Sequence, residues 1–548
     1  MLLEGVLYRD EAEVRRYIAS GSWSELTIGE ALRRTAARVP QRLAYGSEEG
    51  RLSFRELDER SDRLAGALLL HGVQPGERAI FQMGTTLETA VALTACFKAG
   101  IVPVCTVPQY REIEIGQLTQ LSGATLYFVQ ADFSAFDLVA FAQGMRARFP
   151  SLRRLIVARA KRGGDFLDFH QLIEATSLQA ARGALSEVKL DSRDCAMFQL
   201  SGGSTGVPKI IPRFHGEYLV AGPHWVAMQG MDEHSIAIWS LPLIHNAGMY
   251  YAYTPTMLWG RSTILLGKTD IALLLEMIGR YRATHAASIG PIAAFLLNYP
   301  DIRKHDLSSL KFFITMSRAD AVEQHLGVPC ANLYGITEGL VMVSSPDAPA
   351  AARHGTQGRA VREDDEVKVL KVGSEEPAAP GEMGELVFRG ASSLLGYYNA
   401  PEQSRETLTP DGFVRTSDLV KAHLHDGVTY YSFEGRLKDN INRGGEKYGT
   451  EEVENLIREH PAVADAAVVA MPDPVFFEKG CAFIIPKTGQ QAPDVAVLGK
   501  FLAAKGLAKF KLPERIEAID AFPVTRVGKM DKARLRAMIT ERLKQEEI

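Results

Sequence analysis

The feature that most constrains this chain is the alternation of helix-like and strand-like runs, which continues to roughly residue 340. "LSFRELDERSDRLAGALLLHG", beginning at Leu52, reads as a helix. Ser53 and Glu56 fit a capping box, and Leu57, Leu64 and Leu68 fall on one face. "GERAIFQMG" reads as a buried strand, "LETAVALTACFKAG" as a helix ending at Gly100, and "IVPVCTV" as another strand. Strands separated by helices cannot pair as hairpins, so the pattern predicts α/β layers with much parallel sheet.

The texture then changes. Residues 355–435 are rich in glycine and turn residues, with short strands such as "GELVFRG" and "VTYYSFEG", which predicts a β-rich subdomain. After "GRLKDNINRGGEKYGT" come a helix ("EEVENLIREH"), two strands ("ADAAVVAMPD", "GCAFIIPK") and a helix around "VAVLGKFLAAKG". The expected organisation is a large multi-layer domain over 1–437 and a small, mobile α+β domain over 438–548.

Bulk properties remove several function classes. The formal net charge of -4 gives no electrostatic reason to expect a nucleic-acid partner. No apolar run is long enough to span a bilayer, and the N-terminus lacks the basic-then-apolar order of a signal peptide, so a cytoplasmic, non-membrane protein is expected. Cys96, Cys105, Cys195, Cys330 and Cys481 are scattered, without metal-ligand spacing, and read as buried thiols.

The stretch "FQLSGGSTGVPKIIPRFH" (198–215) carries the first chemistry. Ser201, Gly202, Gly203, Ser204, Thr205 and Gly206 follow a strand, and Lys209 adds a cation. Glycines let backbone N–H groups crowd an anion, and hydroxyls add donors, so the loop suits phosphate. Judged alone, it suits a mobile surface turn as well. Four further stretches follow in order: "LYGITEGL" (333–340), "DGFVRTSDL" (411–419), "GRLKDNINRGGEKYGTEEVE" (435–454) and "FPVTRVGKMDKARLR" (522–536). Together the five resemble the adenylate-forming superfamily, over nearly the whole chain. "INRGGEK", "LPLIHN", "THAASIGPIAAFLL", "RRYIASGSW" and "VPQYREIEI" are similar to its stand-alone aryl-acid–AMP ligases, which activate 2,3-dihydroxybenzoate or salicylate.

The resemblance implies ATP and Mg2+ as cofactors. It implies an aromatic carboxylate attacking the α-phosphorus, pyrophosphate leaving, and the acyl group passing to the phosphopantetheine thiol of an aryl or peptidyl carrier protein. It assigns Glu338 to magnesium, Thr337 to the α-phosphate and Lys529 to the carboxylate and α-phosphate. His245 joins them as a catalytic candidate. Tyr334 and Gly335 would lie by adenine, Asp418 and Arg436 by the ribose. Lys438 would be the hinge, and Gly444 and Gly445 would line the pantetheine tunnel. Without the resemblance, Glu338 reads as a helix-start charge, Asp418 as a turn residue and Lys529 as a solvated lysine.

The acid pocket implied is Asn246, Ala247, Tyr251, Thr315, Met316 and Gly339. Here the chain departs from the dihydroxybenzoate enzymes. Ala247 takes a tyrosine position, Tyr251 a small polar one, and Thr315-Met316 a Gly-Gly. Tyr110 replaces a usual histidine, Ser204 a threonine, and Phe477 a glycine of the small domain. Loss of the small polar residue predicts an altered aromatic acid: salicylate-like, hydroxyanthranilate-like or bicyclic. Transfer to free coenzyme A is the alternative reaction, and a non-catalytic binding protein of the same fold the remote one.

Overall fold

The computed structural model describes residues 2–161, 163–201, 208–288, 292–437, 440–523 and 530–546, with backbone only at 294, 435, 436, 440 and 451. Two large sheets dominate. One has the strand order 359–360, 341–343, 330–335, 312–315, 285–288, 236–239, 262–265, 43–46, 51–53. The other runs 167–168, 154–158, 126–130, 78–82, 102–104, 195–201, 209–214. Pairing is parallel through the middle of both and antiparallel only towards their ends, as between 195–201 and 209–214.

Side-chain alternation along the strands explains the layering. Phe81 and Phe128 face a central core shared with Trp239 and Leu265 of the other sheet, while their neighbours Ile80 and Tyr127 face an outer core. Helices Ile28–Arg38, Phe54–Leu70, Leu87–Ala99 and His215–Met228 fill the space between the sheets. Helices Glu112–Ser122 and Leu138–Arg148 cover one outer face and Ile271–Tyr281 the other. Local chemistry sets the helix ends. Ser53 Oγ accepts from Glu56 N while Glu56 returns the bond to Ser53 N, and Gly100 closes its helix at a left-handed φ of 69°.

A four-stranded antiparallel sheet (366–370, 384–389, 414–425, 428–436) forms the β-rich unit. The next strand, Asn440–Arg443, belongs to a separate sheet with 446–449, 477–486, 463–473 and 515–518. In this C-terminal unit Ala466 and Val468 meet helices Thr450–Arg458 and Val495–Ala504 on one face. Ala467 and Val469 meet helix Lys532–Glu546 on the other.

Candidate active site

One cavity lies where the ends of the large sheets meet the C-terminal unit. Its wall includes Ser201, His245, Asn246, Ala247, Met316 and Thr337 from the large part, and Gly445, Glu446 and Lys447 from the small one. Sheet geometry makes this convergence: crevices at the ends of parallel strands are where loops from several strands meet.

The side expected to meet phosphate is framed by the ends of the glycine loop. Ser201 pairs in register with Lys209 at the loop's base; Gly202, Gly203, Ser204, Thr205 and Gly206 lie outside the described residues. Lys209 Nζ sits 4.5 Å from the centre of the Tyr397 ring, and the Tyr397 hydroxyl donates to Glu338 Oε1 at 3.2 Å. One tyrosine thus joins the lysine of the loop to the carboxylate expected to meet magnesium. A single carboxylate that leaves room for phosphate oxygens and water is the donor set magnesium takes, so the residues fit it. Gly339 has φ 127°, and a Cβ there would meet Ser392 O at 1.9 Å, so only glycine fits beside Glu338.

On the side expected to meet the nucleoside, the Tyr334 hydroxyl donates to Asp418 Oδ2 at 2.7 Å, and both residues are buried. Burial, and then the Asp418 charge, push the Tyr334 hydroxyl well above its ordinary range. Asp418 pairs in register with Arg436, whose side chain is outside the described atoms. Gly335 lines the cavity next to Tyr334.

On the side expected to meet the acid, Gln199 Nε2 donates to Ile244 O and to the Tyr218 hydroxyl, both at 2.9 Å. That hydroxyl donates to Asn246 Oδ1 at 2.9 Å. The chain fixes Asn246 so that its amide N–H groups remain available on the cavity wall. Burial, and secondarily Lys447, pull the His245 imidazole down to about 4, so it is neutral at pH 7. Arg213 is buried beneath the site. It donates to Glu217 Oε2 at 2.8 Å, to Ser392 O at 2.9 Å and to Thr337 O at 3.5 Å, tying three segments together.

Ala247 and Met316 line the cavity, but Tyr251 and Thr315 do not. Tyr251 is fully buried, with Trp225 at 5.4 Å and Trp239 at 5.3 Å between ring centres. Thr315 Oγ1 turns to Ser317 O at 3.0 Å. The bulk that the sequence places at 251 therefore packs in the core, and Ala247 leaves open space on the wall. The short π-helical turn Met249–Tyr253 sets this direction.

From the C-terminal unit, strands Asn440–Arg443 and Glu446–Gly449 form a hairpin whose two loop residues, Gly444 and Gly445, have φ 61° and 101°. Two positive φ values make the tight turn that only glycine adopts freely. Gly444 N donates to Phe476 O at 2.8 Å and Gly445 N to Asn442 Oδ1 at 3.0 Å. Phe477, the residue in the usual glycine place, takes the glycine-like φ of 65°. Lys438 and Lys529 lie outside the described residues. Gln199, Tyr218, Arg213, Tyr397 and Glu446 are the residues that sequence reasoning did not single out. Arg213 and Gln199 carried the one available hint, a polar residue inside an apolar strand.

The family model for the AMP-binding enzyme matches residues 32–398, and that for the AMP-binding enzyme C-terminal domain matches 452–529. The chain is 37% identical over 542 residues to pyochelin synthase PchD of Pseudomonas aeruginosa, covering 98% of this chain and 96% of that one. It is 35% identical over 551 residues to the 2,3-dihydroxybenzoate-AMP ligase of Bacillus subtilis, covering 99% of each. Among solved structures it resembles the apo structure of Mycobacterium smegmatis MbtA, with a TM-score of 0.71 and 27% identity over 97% of this chain and 98% of that one.

Proposed function

The chain belongs to the AMP-binding enzymes, and on that premise we propose that it activates an aromatic carboxylic acid with ATP. It is an aryl-acid–AMP ligase of siderophore or related natural-product assembly. The acid oxygen attacks the α-phosphorus, pyrophosphate leaves, and the aryl-adenylate then loses AMP to the phosphopantetheine thiol of a carrier protein. A free carboxylate would have to expel oxide, whereas the adenylate expels AMP. No protein nucleophile is needed, so catalysis rests on positioning and charge.

The observation that carries this reading is a cavity lined by Asn246, by Gly335 and Thr337, which adjoin Tyr334 and Glu338 in the chain, and by Ser201, the register partner of Lys209. Asn246, held by Tyr218, faces the acid, and Tyr334 with Asp418 faces the nucleoside. Lys209 and Glu338, joined through Tyr397, face the phosphates. Glu338 would hold magnesium, which supplies charge neutralisation on phosphate oxygens when bound. Ala247 and the withdrawal of Tyr251 support an acid with a polar ortho group and extra bulk near position 247, such as a hydroxyanthranilate-like acid. The glycine hairpin faces the cavity, the placement that suits thiol entry. Lys529 belongs to the segment after 523, whose neighbour Met530 packs on the far face of the small sheet. One small domain cannot bring both faces to the cavity at once, so it turns between half-reactions.

Aromatic-acid-dependent ATP–pyrophosphate exchange, measured over substituted benzoic, anthranilic and quinaldic acids with magnesium, tests the first step. Exchange with none of them defeats the reading. Side-by-side transfer to a phosphopantetheinylated carrier and to free coenzyme A decides the acceptor.

A further inference from the structure

The cavity contains a carboxylate that adenylation does not use. Glu446 opens the second strand of the glycine hairpin and lines the cavity next to Gly445. It accepts no hydrogen bond and joins no ion pair with any described residue. Its cross-strand neighbour is Arg443. That guanidinium is engaged elsewhere, bidentate to Glu514 at 2.9 Å and 2.9 Å, and stacked 4.0 Å from the centre of the Phe476 ring. Lys511, which also lines the cavity, is committed as well, lying 2.6 Å from Glu452 and 3.2 Å from Glu114. An acid left unpaired among the described residues, on a cavity wall where the same hairpin presents Gly445, has no partner there to explain it.

We propose that Glu446 is the general base that takes the proton from the incoming thiol during acyl transfer, an inference that rests on the ligase reading above. In that step the sulfur lone pair forms the C–S bond to the acyl carbon. The S–H proton passes to a Glu446 oxygen. The electron pair of the acyl C–O bond leaves with the AMP phosphate. No further reactant is required.

The surroundings suit the task. Burial raises the Glu446 carboxyl to about 7, with Lys511 pulling the other way. A free cysteine thiol titrates at about 8.5 and a simple alkanethiol higher still, so a base near 7 is better matched to a thiol than an ordinary carboxylate. The other titratable groups on this wall are poor competitors. Cys105 and Tyr110 are pushed far up by burial. His245 is pulled down to about 4 by burial and by Lys447. Glu114 is locked by donors, accepting from Arg111 N at 2.9 Å and Ala508 N at 3.2 Å.

The test uses the full-length enzyme with preformed aryl-adenylate, so that transfer is read without adenylation. With pantetheine as acceptor, wild-type transfer should rise with pH through an apparent value near 7, and Glu446→Gln should lose that step and fall about 100-fold. Glu446→Asp should regain part of the rate. With N-acetylcysteamine the Glu446→Gln loss should be of the same size. With the more acidic trifluoroethanethiol, already largely thiolate, it should shrink to less than about tenfold. An unchanged pH profile, or equal slowing with both small thiols, overturns the assignment. Absence of ATP–pyrophosphate exchange in the wild type would instead defeat the ligase reading, and the two failures are separable.

Discussion

Lys511 of the C-terminal unit places its ammonium 3.2 Å from Glu114 of the large part and 2.6 Å from Glu452, with the lysine and Glu114 both buried. Burial alone would lower the Lys511 ammonium, but the two carboxylates outweigh it and hold it above its ordinary value. Glu114 also accepts from Ala508 N, and Tyr110 stacks on Phe510 with 6.1 Å between ring centres. These contacts fasten the small unit in the orientation that turns its glycine hairpin to the cavity.

Lys511→Met leaves two buried carboxylates without their shared cation, which costs about 3–5 kcal/mol of this docked arrangement. Hydrogen exchange should quicken over 440–449 and 508–512, and the ratio of acyl transfer to ATP–pyrophosphate exchange should fall about tenfold. Unaltered protection in both segments would mean that the pair does not hold the units together.

Tyr218→Phe removes the hydroxyl that orients Asn246 and leaves Gln199 with one partner fewer. The missing hydrogen bond is worth about 1–1.5 kcal/mol, so KM for the aromatic acid should rise about tenfold while KM for ATP changes little. Equal changes in both would show that Tyr218 supports the fold rather than the acid site.

Glu323 is tied to Arg353, to His354 Nε2 at 2.9 Å and to Cys330 N at 2.8 Å. Burial opposes ionisation, but these partners outweigh it and lower the carboxyl from 4.5 to about 2. A depressed acid contributes stability above its unfolded value and loses it as pH falls towards the folded one. Denaturation by urea should therefore become easier between pH 4.5 and pH 2 in the wild type, and Glu323→Gln should flatten that limb. A variant with the same acid limb would locate the sensitivity elsewhere.

Phe477 holds a left-handed φ of 65° in place of glycine. Such a conformation costs about 1–2 kcal/mol for a residue with a Cβ, and more when it is β-branched. Phe477→Gly should change stability by less than about 1 kcal/mol because strain relief offsets the lost cover of a half-buried ring, whereas Phe477→Val should be at least about 1 kcal/mol worse than glycine. Chemical denaturation of the three proteins provides the comparison, and equal stability of the valine and glycine variants would remove the strain.

Lys529→Ala should lower ATP–pyrophosphate exchange by about 100-fold or more, because an ammonium aimed at developing charge is worth several kcal/mol in a dry site. Transfer from preformed adenylate should be far less affected. An unchanged exchange rate would withdraw Lys529 from the reaction.

Local order was legible because its causes are local. The Ser53–Glu56 box, the left-handed Gly100 and the Gly444-Gly445 turn are each decided within a few residues. The strand alternation predicted mostly parallel sheets because a helix between two strands leaves little other choice. The order of "SGGSTG", "TEG", "TSD" and "GGEK" along the chain marked the chemistry only through the family resemblance that the stretches carry together.

What the linear order could not supply is direction and partnership. Position 251 carried a tyrosine that the family resemblance puts in the pocket, yet a π-helical turn sends it between Trp225 and Trp239. Glu446 sat in plain view inside "RGGEK". Its freedom depends on Arg443 choosing Glu514, 71 residues away, and the latch at Glu114 joins residues 394 apart. Sequence alone settled which groups the chain owns and which turns they ride on, because backbone preferences act over a few residues. Tertiary structure settled which charges stay unpaired and which side chains face the cavity. Desolvation and ion pairing depend on neighbours that only folding brings near.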